Sequence, residues 1–366
     1  MPKRVRWRGS LVFHRAMEGA VEIARWPALA GVLLAAVTLS APLSVAQTQQ
    51  QIDWCVKKDV PSDLAIDSCT AVIQSGRWSG KRLAWAFTDR CWAHFKKGEN
   101  DQALADCNEA IRLDPKSAMA FSNRCGAHRN KGENDQALAD CNEAIRLDPK
   151  YAVAYNGRGN AYLAKNEHDR AITDYNQAIQ LDPKYAFAYN NRGNAYLAKN
   201  EYDRAITDYN QAIQLDPKYA VAYYNRGNSY EAKMDYDHAI ADFSEAIQLD
   251  PNNAAFFNSR CWDRALVGSD LAQALADCSE SLRLRPNVVH TIDSLGLVHL
   301  KLGDLDKALA DYDAVLKLNP KFAGSLYGRG VVKQKKGDTA GAETDMAAAK
   351  ALRSDIAEQW AKYGVK

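Results

Sequence analysis

The sequence predicts an all-α protein. It reads as an α-solenoid of about eight helix–turn–helix units, preceded by a shortened leading unit and closed by a C-terminal helix. Three observations carry this. Pro115, Pro149, Pro183, Pro217, Pro251, Pro286 and Pro320 recur every 34 residues, with one step of 35, and a fixed period of that size marks a repeat array. Within each period, small and apolar residues return at three- and four-residue steps, the helical period. In the third unit these stretches are residues 152–166 and 168–181. Finally, Ala103, Ala137, Ala171, Ala205, Ala239, Ala274, Ala308 and Ala342 fill one column in all eight units. A side chain that small lets two helices approach closely.

From the N-terminus, residues 1–46 read as a secretory signal. Lys3, Arg4, Arg6, Arg8, Arg15 and Arg25 stand against Glu18 and Glu22, and an apolar run from Ala28 to Ala46 follows. Ser44-Val45-Ala46 offers small residues for cleavage before Gln47. The alternative is an uncleaved membrane anchor, but Pro42 interrupts the run, and a span needs about 20 apolar residues. No cysteine stands at the cleavage point, so there is no lipoprotein signature. Residues after Gln47 are therefore expected outside the cytosol, in a Gram-negative periplasm or secreted, with inner-membrane anchoring as the lesser reading. The whole chain carries a formal charge of +2. Its basic character lies in this N-terminal stretch, and the near-neutral remainder has no electrostatic footprint for nucleic acid. Residues 47–83 form the shortened leading unit, 84–353 the array, and 354–366 the closing helix. The Asp-Pro after each second stretch stops one helix and opens the next turn. One residue is inserted in the sixth unit, around Gly268–Asp270.

Tyr155, Gly159, Tyr162, Ala171, Tyr175, Ala178 and Pro183 fall on the pattern W-x₂-L-G-x₂-Y…A-x₃-F…P, with aromatic swaps. The array thus resembles the tetratricopeptide repeat family over roughly three-quarters of the chain. The resemblance implies a right-handed superhelix whose first helices line a concave groove, and a role as an interaction scaffold. No unit of such an array buries its apolar face alone, so neighbour contacts stabilise it. The third and fourth units differ only at Val153/Phe187, Gly157/Asn191 and His168/Tyr202, which points to a recent duplication.

Eight cysteines follow the repeat. Cys91, Cys125 and Cys261 stand in the first helix where other units carry Gly; Cys107, Cys141 and Cys278 stand in the second, where others carry an aromatic residue or Met346. A unit has both or neither. In the family the Gly column marks a close helix crossing, with axes about 8–10 Å apart, within reach of a disulfide. The expected bridges are Cys91–Cys107, Cys125–Cys141 and Cys261–Cys278. Cys55 and Cys69 are expected to bridge the leading unit. Each closes a loop of about fifteen residues, worth roughly 3 kcal/mol in the chain-entropy model. Buried free thiols and zinc held with His94 or His128 are the competing readings. The even count, the pairwise occurrence and the export signal favour disulfides.

The expected groove residues are Asn156, Asn160, Asn190, Asn194, Asn228 and Asn258, with Trp85, Trp92, Phe187, Tyr224 and Trp262. Asn is a poor choice inside a helix, and repeated amides can hold the main chain of an extended peptide. Aromatic side chains add contact area at low entropy cost. The partner is expected to be a peptide or helical segment of another envelope protein. Alternatively these amides only solvate the face. Val153, Phe187 and Val221 stand where a carboxylate clamp would need a base, so that specificity is not expected. Seven arginines, Arg90 to Arg329, each match an aspartate on the second helix, and are read as structural pairs. There is no GxSxG, HExxH or P-loop motif. Hence no enzyme, catalytic residue, cofactor or metal is expected. The second functional reading is a structural strut or accessory subunit of an envelope enzyme or secretion complex, acting through the convex face.

Overall fold

The computed structural model describes residues 45–365, apart from 58 and 269. The expected leader lies outside the described residues except for Val45 and Ala46, which open the first helix. Helices follow one another without a strand among the described residues. The leading pair is α1 (Val45–Val56) and α2 (Ser62–Gln74), and a 3-10 turn over Gly80–Leu83 leads into the array. Eight helix pairs follow: α3 (Ala84–Lys97) with α4 (Asn100–Leu113), α5 (Ala118–Asn130) with α6 (Asn134–Leu147), α7 (Ala152–Ala164) with α8 (His168–Leu181), and α9 (Ala186–Ala198) with α10 (Tyr202–Leu215). Then come α11 (Ala220–Ala232) with α12 (Tyr236–Leu249), α13 (Ala254–Val267) with α14 (Leu271–Leu284), α15 (Val289–Leu302) with α16 (Leu305–Leu318), and α17 (Ala323–Lys335) with α18 (Thr339–Leu352). A short α19 (Ile356–Lys362) ends the chain. Each helix packs on its predecessor and its successor, as a solenoid requires. Among the described residues no helix is long and apolar enough to cross a membrane.

The turns account for the boundaries. In the third unit the first helix stops at Ala164, two residues before the expected end, because Asn166 takes a left-handed backbone with φ 60°. The Glu167 amide then donates to the Tyr162 carbonyl and the Asn166 amide to Leu163, the paired bonds that satisfy orphan carbonyls at a helix end. Glycines 98, 132, 303 and 337 take the same role in other units. After the second helix, the Asp182 carboxylate accepts from the Lys184 amide across Pro183, a local turn that re-aims the chain.

Two packings fill the crossing inside a unit. In the third, the Tyr175 ring lies across Gly159 so closely that a Cβ there would stand 2.6 Å from it. Gly193 meets Tyr209, Gly227 meets Phe243, and Gly296 meets Tyr312 in the same way. In the eighth unit Gly330 faces Met346 in place of a ring, and in the remaining units both the glycine and the large side chain are replaced by cysteine. Cys91–Cys107, Cys125–Cys141 and Cys261–Cys278 are disulfides with Cα atoms 5.5 Å apart, and Cys55–Cys69 joins α1 to α2. The exchange is therefore concerted. A Cβ requires the ring to go, and the bridge fills the space that the ring leaves.

The arginine column links units as well as helices. Arg158 donates from Nε and Nη2 to the two Asp174 oxygens at 2.8 and 2.7 Å, and from Nη1 to Asn142 of the preceding unit. Arg124, Arg192 and Arg226 repeat this fork, with third arms on Asn108, Asn176 and Asn210. These are not exposed pairs, because the aspartates are buried. A bidentate, partly desolvated pair resists separation more than a surface one.

Candidate peptide groove and the closing helix

The first-helix face expected to line a groove divides into amides already engaged and groups left open. Asn156 and Asn190 are buried, Asn190 to 2 % exposure. Asn191 donates to the Asn156 carbonyl oxygen, and Asn225 to that of Asn190, both at 2.9 Å. Asn190 in turn donates to Asn191 at 3.3 Å. A chain of amides thus crosses from unit to unit, and these two side chains serve that joint. Asn160 and Asn194 sit nearer the surface. Their carbonyl oxygens accept from the Tyr175 and Tyr209 hydroxyls at 2.8 and 2.7 Å. Asn228 faces a unit in which Phe243 replaces the tyrosine, so no phenol reaches it. The Asn258 carbonyl oxygen is buried without a partner.

The aromatic residues divide likewise. Trp85 packs edge-on against Trp78, and Trp92 stacks on Phe95 while staying partly open. Phe187 is 51 % exposed and touches Tyr219 along one side. Tyr224 is held between Phe243 and Phe256. Trp262 meets Tyr363, just beyond α19, with ring centroids 5.4 Å apart.

Two features of this face go beyond what the sequence reading drew from Phe187 and the clamp position of Val153, Phe187 and Val221. The first is an exposed apolar column. Met119, Val153, Phe187 and Val221 occupy one position in four consecutive units, all solvent-exposed. The 34-residue spacing contains this column, but nothing in the spacing says that a neighbour fails to cover it. The second is the path of the C-terminus. Trp360 is buried against Tyr327 and Tyr312 and Tyr363 meets Trp262, so the closing segment covers first-helix residues of the sixth and eighth units and a second-helix tyrosine of the seventh. The open stretch of the face lies over the earlier units.

His94 and His128 turn Nδ1 to Glu99 and Glu133, at 2.6 and 2.5 Å. Their neighbouring cysteines are in disulfides.

Stacked helix pairs with a ladder of polar side chains and an exposed apolar column on one face define a helical-repeat scaffold of the kind that holds other proteins. The family follows from the sequence matches. Segments described as TPR repeat fall at residues 126–166, 159–200, 193–233 and 296–337, and further tetratricopeptide repeat matches at 220–253 and 92–117, together more than half of the chain. The chain belongs to the tetratricopeptide repeat family. No curated protein matches it. Among solved structures, it is similar in fold to the APC/C hetero-tetramer Cut9–Hcn1, with a TM-score of 0.63 and 18 % identity over 88 % of this chain. The chain spans 64 % of the length of that relative. A tetratricopeptide repeat protein from Parabacteroides merdae matches with a TM-score of 0.51 and 19 % identity, over 68 % of this chain and 96 % of that one. The repeats indicate a protein–protein interaction scaffold.

Proposed function

We propose that the protein is an exported, non-enzymatic scaffold that holds an extended segment of another envelope protein on the inward face of its second to fifth units. The observation that carries this is the exposed column of Met119, Val153, Phe187 and Val221, the last three on the same helices as the half-buried Asn160, Asn194 and Asn228. An apolar strip gives area, and amides at one-unit spacing supply donors for a main chain. Four disulfides favour an oxidising compartment, which agrees with a periplasmic location and with the signal-like N-terminus. The test is crosslinking in the native host from a photoreactive residue at position 187. A partner captured there, and lost when Asn160, Asn194 and Asn228 are all changed to Ala, supports the groove. Retention of the partner by that triple variant rules the groove out and directs the search to the convex face.

A further inference from the structure

The array departs from its own repeat at one joint. Asp263 occupies a core column filled elsewhere by Ala161, Ala195, Ser229, Val298 and Val332, all buried. Asp263 itself has no exposed surface, and neither carboxylate oxygen has a hydrogen-bond partner. Glu231, one unit earlier, stands where the third and fourth units carry Leu163 and Leu197. Glu231 lines a cavity of about 310 Å³ together with Tyr236, Trp262 and Tyr363, the size of a small-molecule site; Asp263 lies outside that lining, close enough for the Glu231 charge to act on it. Two carboxylates in apolar columns, side by side, are costly unless something compensates them.

The chain's own cations do not compensate them. Arg264, next to Asp263, is bound to Asp277. Lys301 of α15 donates to the Leu266 carbonyl, and Arg353 to Gln359. Lys362 lines the cavity, but no ion pair joins it to either acid among the described residues. Tyr236 on α12, and Asp355, Glu358 and Tyr363 of the closing segment, are the other titratable groups at the site; none brings positive charge. Burial raises both carboxyls above the ordinary range, and at Asp263 the Glu231 charge adds to the rise. Without a ligand the pair therefore retains a proton to higher pH than free carboxyls do.

We propose that Glu231 and the aromatic corner of Trp262 and Tyr363, with the buried Asp263 close by, form a binding site for an organic cation of the alkylammonium or guanidinium type. The Glu231 carboxylate meets the charged head, the buried Asp263 adds negative charge nearby, and the rings take the methylene stem and the cation's face. The proton that the acids retain without a ligand leaves to solvent as the cation enters. The cation has two sources, a free amine or a Lys or Arg side chain of a segment lying in the groove; only the second rests on the groove reading above.

The test is calorimetric titration of the full chain with agmatine, with Nα-acetyl-lysine methylamide, and with acetyl-norleucine methylamide as the uncharged match. Two buffers of different ionisation heat report proton release. Both cations are expected to bind saturably with net proton release, and the neutral compound not to bind. Since the cation needs the deprotonated pair, affinity rises with pH, by up to about tenfold per unit, until the pair has ionised. E231Q should weaken binding by about tenfold or more, and D263N, which removes only a nearby charge, should weaken it by a smaller factor. A peptide carrying one Lys between alanines separates the sources: tighter binding than acetyl-lysine methylamide assigns the site to a segment, and weaker binding assigns it to a free amine. F187A, which strips the exposed column, should leave these titrations unaltered even where it abolishes partner capture. Absence of saturable binding above neutral pH, equal binding of the neutral compound, or undiminished binding by both acid variants overturns the proposal.

Discussion

The second and third units share a backbone plan and solve the same crossing differently. In the second, Cys125 and Cys141 close it covalently; in the third, Gly159 admits the ring of Tyr175. The difference teaches what each solution depends on. The bridge stabilises chiefly through the unfolded chain and asks little of its surroundings. The ring stabilises through burial and shape, so it requires the missing Cβ opposite and a partner for its hydroxyl. Asn160 supplies that partner to Tyr175.

The largest expected effect breaks the aromatic solution. Tyr209→Ala removes a fully buried ring and should cost about 3–5 kcal/mol, read as early loss of the central units in hydrogen exchange. Next is the covalent solution. Changing Cys125 and Cys141 together to Ala should cost about 3 kcal/mol by urea unfolding, and reducing agent should then have less left to remove. Gly159→Ala forces a Cβ against the Tyr175 ring and should cost about 1–3 kcal/mol. The paired change of Gly159 and Tyr175 to Cys sharpens the comparison. It should form a fifth bridge, seen by peptide mapping without reductant, and recover the stability lost by Gly159→Ala. The smallest effect separates the aromatic units from one another. In the seventh unit Leu297 stands where Asn160 and Asn194 do, and the buried Tyr312 hydroxyl has no partner. Tyr312→Phe should therefore raise stability by about 1 kcal/mol, whereas Tyr175→Phe should lower it by about as much.

Much of this plan was legible in the sequence, for a physical reason. Helix pairs, the alanine column and the paired Cys-for-Gly-and-Tyr exchange all repeat, and repetition averages away local noise. The match of bridge to unit followed because both cysteines occupy columns that face each other. The groove was less legible. Asn156 and Asn160 lie on the same helix face, yet one side chain is drawn into a joint by Asn191 of the next unit and the other is not. Periodicity identifies a face but not the partner across a joint. The closing segment has no copy elsewhere in the chain, so its coverage of Trp262 had no column from which to be read. The acids at 231 and 263 were visible as departures from their columns, and are lost when attention rests on what the columns share.

Every bridge lies within a unit, and none crosses between units. Under tension along the array, the covalent links therefore carry no load between units. They make stiff segments of the leading pair and the first, second and sixth units, and extension must come from the joints, where the arginine arms and amide chains slip first. Such a molecule would lengthen at its joints and recoil, while the crossings inside its stapled units stay closed.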